Sequence, residues 1–232
     1  MIVLSFDSDW APQFVIDYVA GKLEAAGVSA TFFLTSPYVM HDRADIEIGI
    51  HPNFMSDSTQ GNTENEVLTT LKRWHPSALG SRSHRFYWHS NLSDRLADSG
   101  ILYDSSIFMP YQSFLMPFKV GRIMRIPVWW SDGLHLLSEM PFRVSELPNL
   151  EKPGLKVFNF HPIHIYLNTR SPNGYREKVK MINPLFEADP EALLRLKENG
   201  FGIGTLFADL LEYVARQDDN SMRLKEICRS GW

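Results

Sequence analysis

Two aspartates separated by one residue follow the first apolar stretch of the chain. Residues 2–6 form a strand-like run without polar alternation, and Asp7 and Asp9 come directly after it. If the backbone stays extended, both carboxylates point to the same side. Burying them at the end of a strand costs free energy unless a metal ion, an arginine or both pair with them. The alternative is a surface turn, since Ser, Asp and Pro12 are common in loops.

Other residues able to do chemistry stand at or just after further predicted strands. They are His51, Arg82, His84, His161 and His164. In a parallel barrel the carboxyl ends of the strands form one face, and active sites collect there. An open doubly wound sheet binds ligands at a switch point and rarely recruits residues from so many strands. The positions of these side chains therefore favour a barrel.

Buried strands and helices alternate along the chain, which predicts an α/β fold. Strands are predicted over residues 2–6, 30–35, 47–51, 77–84, 101–107, 122–130, 155–160 and 201–206. Helices are predicted to begin near residues 12, 63, 91, 190 and 208. Gly27 is predicted to end the first helix, and Thr63 and Asp189 are predicted to cap the starts of the second and the fourth. Residues 131–153 show no clear period, and residues 165–188 are predicted to be a long polar loop, of the kind that often forms a lid or binds a ligand.

The composition is that of a globular protein whose core suits one large domain over residues 1–232. The net charge of -4 gives no reason to expect a nucleic-acid partner. Cys228 is the single cysteine, which excludes an internal disulfide framework and is compatible with a reducing compartment. No apolar run reaches membrane-spanning length, and no signal-like segment precedes the first strand. We therefore expect a cytoplasmic protein without a membrane span.

Five short motifs occur in order along most of the chain. They are Ser5–Asp9, Glu47–His51, Arg82–Tyr87, Trp129–Trp130 and Phe158–His161. In that order they resemble motifs of the polysaccharide deacetylase (NodB-like) family: Thr-Phe-Asp-Asp, the start of His-x-x-x-His, Arg-x-Pro-Tyr, a tryptophan motif and a strand that ends in histidine. No single motif is specific, but five in order are a stronger signal. The resemblance implies a distorted parallel (β/α) barrel with about seven strands.

The sequence departs from the family at two metal-binding positions. Ser8 stands where the family has its second aspartate, and Met55 stands where it has the second histidine. A thioether is a poor ligand for a hard hydrolytic metal. His84 occupies the proline position of the third motif and could restore the missing ligand. The resemblance therefore implies a divergent branch with a rearranged site, or one that has lost its metal.

The resemblance also implies roles for the residues that match its motifs. Asp9, His51 and His84 would supply one carboxylate and two imidazoles, a set that suits Zn²⁺ or another divalent transition metal. Asp7 aligns with the catalytic base, and Arg82 could be the cation that holds it. The alternatives are a purely structural Asp–Arg pair and a hydrogen-bonded His84 behind the site.

The last motif places the general acid at His161, which would protonate the leaving amine. His164 lies three residues on and could replace it or contact the substrate. Tyr87 and Trp130 are the other substrate-binding candidates, since an aromatic ring could stack on a sugar. Several further aromatic residues and histidines match no motif or are weaker candidates for contact with a sugar, and they are expected at the surface or in the core. They are Trp88, Trp129, Tyr166, His41, His75, His89 and His135.

Basic residues give the polar segment before the penultimate helix a positive charge. They are Arg170, Arg176, Lys178 and Lys180. They could meet a phosphate on a nucleotide-linked or lipid-linked sugar, but a solvated loop is the favoured interpretation.

The function implied is a metal-dependent hydrolase that removes an N-acyl group, such as acetyl, from an amino sugar or a saccharide precursor of surface polysaccharide. One alternative is a deformylase or other amidase acting on a related small substrate. Another is a metal-free, carbohydrate-binding pseudoenzyme, in keeping with Ser8 and Met55. In each case the expected partner is a small saccharide.

Overall fold

The computed structural model describes residues 1–40, 44–180, 182, 184–217 and 221–229. Within these residues one curled, mostly parallel sheet forms a half-barrel, which confirms the predicted fold class. Its strands are β1 Ile2–Asp7, β2 Ala30–Leu34, β3 Ile46–Ile50, β4 Gly80–Ser81, β5 Tyr103–Asp104, β6 Phe118–Val120, β7 Ile123–Arg125, β8 Trp130–Ser131 and β9 Lys156–Phe160. Their order is β6-β7-β5-β4-β3-β2-β1-β9-β8, and the pairings are parallel except for β6 with β7.

Helices connect the strands and cover the sheet. They are α1 Gln13–Ala26, α2 Glu64–Trp74, α3 Leu92–Asp98, α4 Asp132–Leu137, α5 Pro162–Leu167, α6 Pro172–Val179, α7 Pro190–Arg195, α8 Ile203–Ala215 and α9 Leu224–Arg229. The predicted caps are present: Gly27 ends α1 with φ 64°, and the side chains of Thr63 and Asp189 accept backbone hydrogen bonds at the starts of α2 and α7. In the described ranges, no helix is both long and apolar enough to cross a bilayer.

The central strands are buried on both faces, which explains their lack of polar alternation. Leu4 and Phe6 of β1 belong to the apolar cluster that α1 and α8 complete. Val3 and Phe33 point to the opposite face and share a second cluster with Leu224 of α9. Residues 224–229 form this separate helix, which packs on the second cluster.

A buried carboxylate fixes α9 against the sheet. Glu47 accepts hydrogen bonds from the Thr31 hydroxyl at 2.9 Å, the Tyr103 hydroxyl at 2.9 Å and the Lys225 backbone N–H at 2.8 Å. These contacts satisfy the acceptor inside the fold and join β2, β3 and β5 to the end of the chain.

The predicted strand count of about seven is wrong, because the described part of the sheet has nine strands. Two long predicted strands, over residues 101–107 and 122–130, are short in the structure. Pro127 lies between β7 and β8 and has no N–H for a ladder hydrogen bond, so the predicted strand is divided there.

The strand predicted over residues 201–206 is also wrong, because α8 begins there at Ile203. The Gly202 N–H donates to the Thr205 hydroxyl at 2.8 Å, and that hydroxyl donates back to the Gly202 carbonyl at 2.8 Å. This exchange starts a helix, and the apolar residues continue at helical spacing through Leu206 and Leu210.

The polar loop predicted over residues 165–188 is largely helical. Asn168 takes a left-handed conformation with φ 50° and ends α5. Ser171 then caps α6 by accepting a hydrogen bond from the Gly174 N–H at 3.1 Å, and Pro172 occupies the first turn. The Ser-Pro pair is a helix-start signal, but α6 is too polar to show a hydrophobic period.

Close packing of α8 on α5 leads to a stability prediction. A Cβ added at Gly204 would lie 2.6 Å from the Ile165 carbonyl oxygen, which belongs to the helix backbone. We expect Gly204→Ala to lower the free energy of unfolding by about 1–3 kcal/mol, measured by urea denaturation. Gly21→Ala in α1 is the control, since no atom lies within 4 Å of its added Cβ; it should be stabilising by about 0.5–1 kcal/mol. Equal stability of Gly204→Ala and wild type would contradict this packing.

Candidate active site

A turn after β1 presents Asp9 to the carboxyl edge of the sheet. Ser8 is buried, and its hydroxyl accepts a hydrogen bond from the Thr35 N–H at 2.9 Å. Asp9 and Trp10 then take left-handed conformations with φ 37° and 57°. The backbone therefore does not stay extended past Asp7, and the expectation based on alternation is wrong. A turn over residues 8–11, closed by the Ala11 N–H donating to the Ser8 carbonyl at 2.8 Å, places Asp9 against His51 beside Asp7.

Asp9 meets two histidines from neighbouring strands. Its Oδ1 lies 3.0 Å from His51 Nε2 and 3.3 Å from His84 Nδ1. His51 directly follows β3, and His84 begins a single turn of 3-10 helix shortly after β4. The structure thus brings together the three residues expected to bind a metal, and their ligand atoms lie within 4.8 Å of one another.

The chemistry of this group fits a divalent cation. Asp9 Oδ1 and His51 Nε2 are buried and form no hydrogen bond with any described residue. Burial would raise the pKa of Asp9, but the facing histidines hold it well below its usual range. An ionised carboxylate with two imidazole nitrogens matches the donor preference of Zn²⁺ and leaves positions open for water and substrate. Ser8 is engaged with Thr35 instead, and Asn53 caps its loop by accepting from the Met55 N–H at 3.0 Å.

Asp7 lies beside this group and is held by two side chains. Arg82 is fully buried and donates to Asp7 Oδ1 at 3.1 Å, as the sequence led us to expect. Asn159 in β9 donates to Asp7 Oδ2 at 3.0 Å and accepts from Arg82 at 3.0 Å. The sequence did not single out Asn159, although a polar residue inside an apolar strand was a signal that could have identified it.

On the other side of Asp9, His161 pairs with an aspartate that the sequence did not single out. Asp132 begins α4 and is fully buried, with its Oδ1 2.7 Å from His161 Nδ1. His161 Nε2 lies 3.3 Å from Asp9 Oδ2. Burial alone would lower the pKa of His161, but Asp132 and Asp9 together raise it well above its ordinary value. Asp132 directly follows a strand, so the rule that identified the other site residues also applies to it.

His164 lies next to His161, with a ring-centroid distance of 5.7 Å. Its Nδ1 is 3.1 Å from the Thr169 hydroxyl, and burial lowers its pKa to about 4. His164 also offers a ligand atom within 4.8 Å of Asp132 and His161. His161 Nδ1 already contacts Asp132 Oδ1 at 2.7 Å, however, which occupies one nitrogen of this second group. The group of Asp9, His51 and His84 therefore fits a metal ion better.

A sequence profile of the WbmS-like polysaccharide deacetylase family matches residues 4–179 of this chain. The chain belongs to this family. The match confirms the resemblance inferred from the five motifs, because it spans all of them. No protein of curated function matches the sequence.

Solved structures agree with this assignment. One is a Bordetella bronchiseptica protein named for a proposed role as a polysaccharide deacetylase in O-antigen biosynthesis. It is 26% identical to this chain with a TM-score of 0.77, and the match covers 91% of this chain and 90% of that protein. A proposed polysaccharide deacetylase from Mycobacterium smegmatis is 16% identical, with a TM-score of 0.58 and coverage of 98% and 88%. PuuE allantoinase is 13% identical, with a TM-score of 0.53 and coverage of 98% and 88%. The last two similarities concern the fold alone.

Trp130 is not available to a sugar in this WbmS-like domain. It is fully buried, it packs on Phe158 and Phe160, and its indole N–H points to His135 Nδ1 at 3.4 Å. The structure therefore does not support its expected role in stacking on substrate. The tryptophan motif instead lies in the core, where it supports β8 and the start of α4.

Tyr87 is half-buried and donates from its hydroxyl to Glu64 at 3.3 Å, at the rim formed with α2. Trp10 lies closer to the metal-binding group. It is half-buried, and its ring meets the His84 ring edge-on at 5.3 Å. Trp10 was not singled out from the sequence, although it directly follows the aspartate motif.

The remaining aromatic residues and histidines lie away from this centre. Trp129 is in the core, Trp88 stacks on Arg125, and Tyr166 packs against Phe14 and Tyr18. His75 and His135 are buried, His89 contacts Glu64, and His41 lies outside the described residues. Among the basic residues of the former loop, Lys178 forms an ion pair with Glu198 at 2.6 Å, so it contributes to packing.

Proposed function

We propose that this WbmS-like protein is a metal-dependent hydrolase that removes an N-acyl group, in the first instance acetyl, from an amino sugar. The observation that carries the proposal is the arrangement around Asp9. One of its oxygens faces the imidazoles of His51 and His84, and the other faces His161. The three residues that would bind a metal and the histidine that would act as general acid thus meet at one carboxylate, which supports their action on one amide bond.

Asp9, His51 and His84 would hold the ion, which when bound supplies Lewis acidity to the acyl carbonyl and lowers the pKa of water. Asp7 would take the proton from the attacking water. Its carboxylate is fixed on one oxygen by Arg82 and on the other by Asn159, so it is presented in one orientation. This preorganisation supports a general base that does not have to reorient during the reaction.

His161 would protonate the departing nitrogen. Asp132 is an ionised acceptor for Nδ1, because the facing His161 outweighs the effect of burial and lowers the pKa of Asp132. The contact leaves Nε2 directed towards Asp9, where the scissile amide would lie. His161 is favoured over His164 as the acid, since burial lowers the pKa of His164 to about 4 and its Nδ1 faces the Thr169 hydroxyl at 3.1 Å.

The substrate class within the proposal is a saccharide precursor of surface polysaccharide. The Bordetella bronchiseptica protein with 26% identity, named for O-antigen biosynthesis, supports this choice. A cytoplasmic location is part of the proposal, because there the enzyme would meet precursors and not the finished polymer. The single-domain organisation and the expected lack of nucleic-acid binding also stay predictions.

The decisive experiment measures the release of acetate or formate with and without added metal. Protein stripped with a chelator, then reloaded with Zn²⁺, Co²⁺ or Mn²⁺, would be incubated with N-acetyl and N-formyl amino sugars, free and nucleotide-linked. We expect acetate release that depends on the added metal, and loss of activity on chelation. Formate release without acetate release would indicate the deformylase alternative. Saccharide binding with neither metal uptake nor turnover would indicate the pseudoenzyme.

A further inference from the structure

Helix α6 brings a tyrosine to the site from a segment that no family motif covers. Tyr175 is half-buried, and its ring meets the His164 ring edge-on at a centroid distance of 4.5 Å. Burial, with the nearby charges of Asp9 and Asp132, raises its pKa above the ordinary value of a tyrosine, so the hydroxyl stays a donor. This hydroxyl forms no hydrogen bond with any other described residue. A half-buried hydroxyl with no partner among these residues is available to donate to a bound ligand.

Both ends of α6 are anchored, which fixes the position of Tyr175. Glu198 accepts a hydrogen bond from the Arg170 N–H at 2.7 Å ahead of the helix, and it forms an ion pair with Lys178 at 2.6 Å near its end. The Ser171 cap holds the first turn. The tyrosine is therefore presented by a well-connected helix and not by a solvated loop.

The chemistry of amide cleavage indicates which part of the substrate would lie near Tyr175. This step rests on the proposed function. The acyl carbonyl belongs at the side of His51 and His84. The leaving nitrogen must reach His161, and it stays bonded to the sugar ring. In this arrangement the sugar would extend from His161 towards the neighbouring His164 and Tyr175.

We propose that Tyr175 is a substrate-binding residue whose hydroxyl donates a hydrogen bond to an oxygen of the sugar on the leaving-group side of the amide. A donor fixed at this place favours substrates with a hydroxyl near the amide nitrogen. It discriminates against amides whose leaving amine carries no hydroxyl, because the donor then loses its partner.

The first test is Tyr175→Phe, assayed on the acyl sugar that wild type hydrolyses fastest. Losing one neutral hydrogen bond should lower kcat/KM about threefold to tenfold, with metal content and Tm unchanged. Tyr18→Phe is the matched control. Tyr18 lies on α1 against Tyr166 and Lys22, so its variant should keep wild-type kcat/KM. Wild-type kcat/KM in Tyr175→Phe would overturn the proposal.

A second measurement separates substrate contact from a structural role. Glucosamine and cyclohexylamine serve as amine probes, the second without hydroxyls, and their binding is followed by calorimetry. Tyr175→Phe should weaken glucosamine binding about threefold to tenfold and leave cyclohexylamine binding unchanged. An equal effect on both probes, or on neither, would overturn the proposal. If wild type hydrolyses no acyl sugar, the proposed function itself fails, which the first assay shows separately.

Discussion

Replacement of His161 by alanine is expected to lower kcat by about 10²–10⁴-fold while the metal content stays at the wild-type level. The reason is that His161 Nε2 faces Asp9 of the proposed metal site, whereas its Nδ1 is held by Asp132 at 2.7 Å. Without the imidazole, the proposed proton donor to the leaving nitrogen is lost. Steady-state kinetics on the best acyl sugar, with elemental analysis of the same preparation, measures both quantities.

Two variants serve as comparisons for this prediction. Asp132→Asn keeps the shape of the side chain but removes the charge that orients His161, so kcat should fall with little change in KM. His164→Ala should lower kcat less than His161→Ala does, because burial lowers the pKa of His164 to about 4 and leaves it without a proton to donate at neutral pH. If His161→Ala stays near wild-type activity and His164→Ala is inactive, the acid is His164. The alignment of His161 with the histidine of the last family motif would then be wrong.

His84→Ala is expected to abolish metal retention and, with it, activity. His84 stands where the family has proline, and its Nδ1 lies 3.3 Å from Asp9 Oδ1. Removing even an outer-shell partner lowers metal affinity by about 10–100-fold, so losing one of three protein ligands should cost more than that. The measurement is metal content by elemental analysis after dialysis against a chelator of graded concentration, with His51→Ala beside it.

His89→Ala is the matched control for the metal prediction. His89 is close in sequence to His84, but its ring contacts Glu64 at 2.7 Å on the outer rim. It should therefore keep full metal content. A His84→Ala protein that also keeps full metal content would show that His84 is not a ligand. A wild-type protein that never takes up metal would favour the metal-free carbohydrate-binding alternative.

The position of Asp9 shows how a correct prediction can rest on a wrong local argument. Alternation along an extended strand was expected to place Asp7 and Asp9 side by side. In the structure the strand ends at Asp7, and Asp9 has φ 37°. The Ser8–Thr35 hydrogen bonds hold this turn, and Thr35 is remote in sequence. A single strand pattern carries no information about such a partner.

The sequence by itself determined the buried strands, the caps of α1, α2 and α7, and the ordered motifs that place polar residues after strands. These features depend on near neighbours in the chain, where periodicity and capping act directly. Only the tertiary structure decided that residues 201–206 begin a helix, that Trp130 is buried, and that Asp132, Asn159 and Tyr175 reach the site. Those outcomes depend on which distant segments the curled sheet brings together. Contacts between segments far apart in the chain leave no local pattern, and a polar helix such as α6 shows no hydrophobic period to mark it.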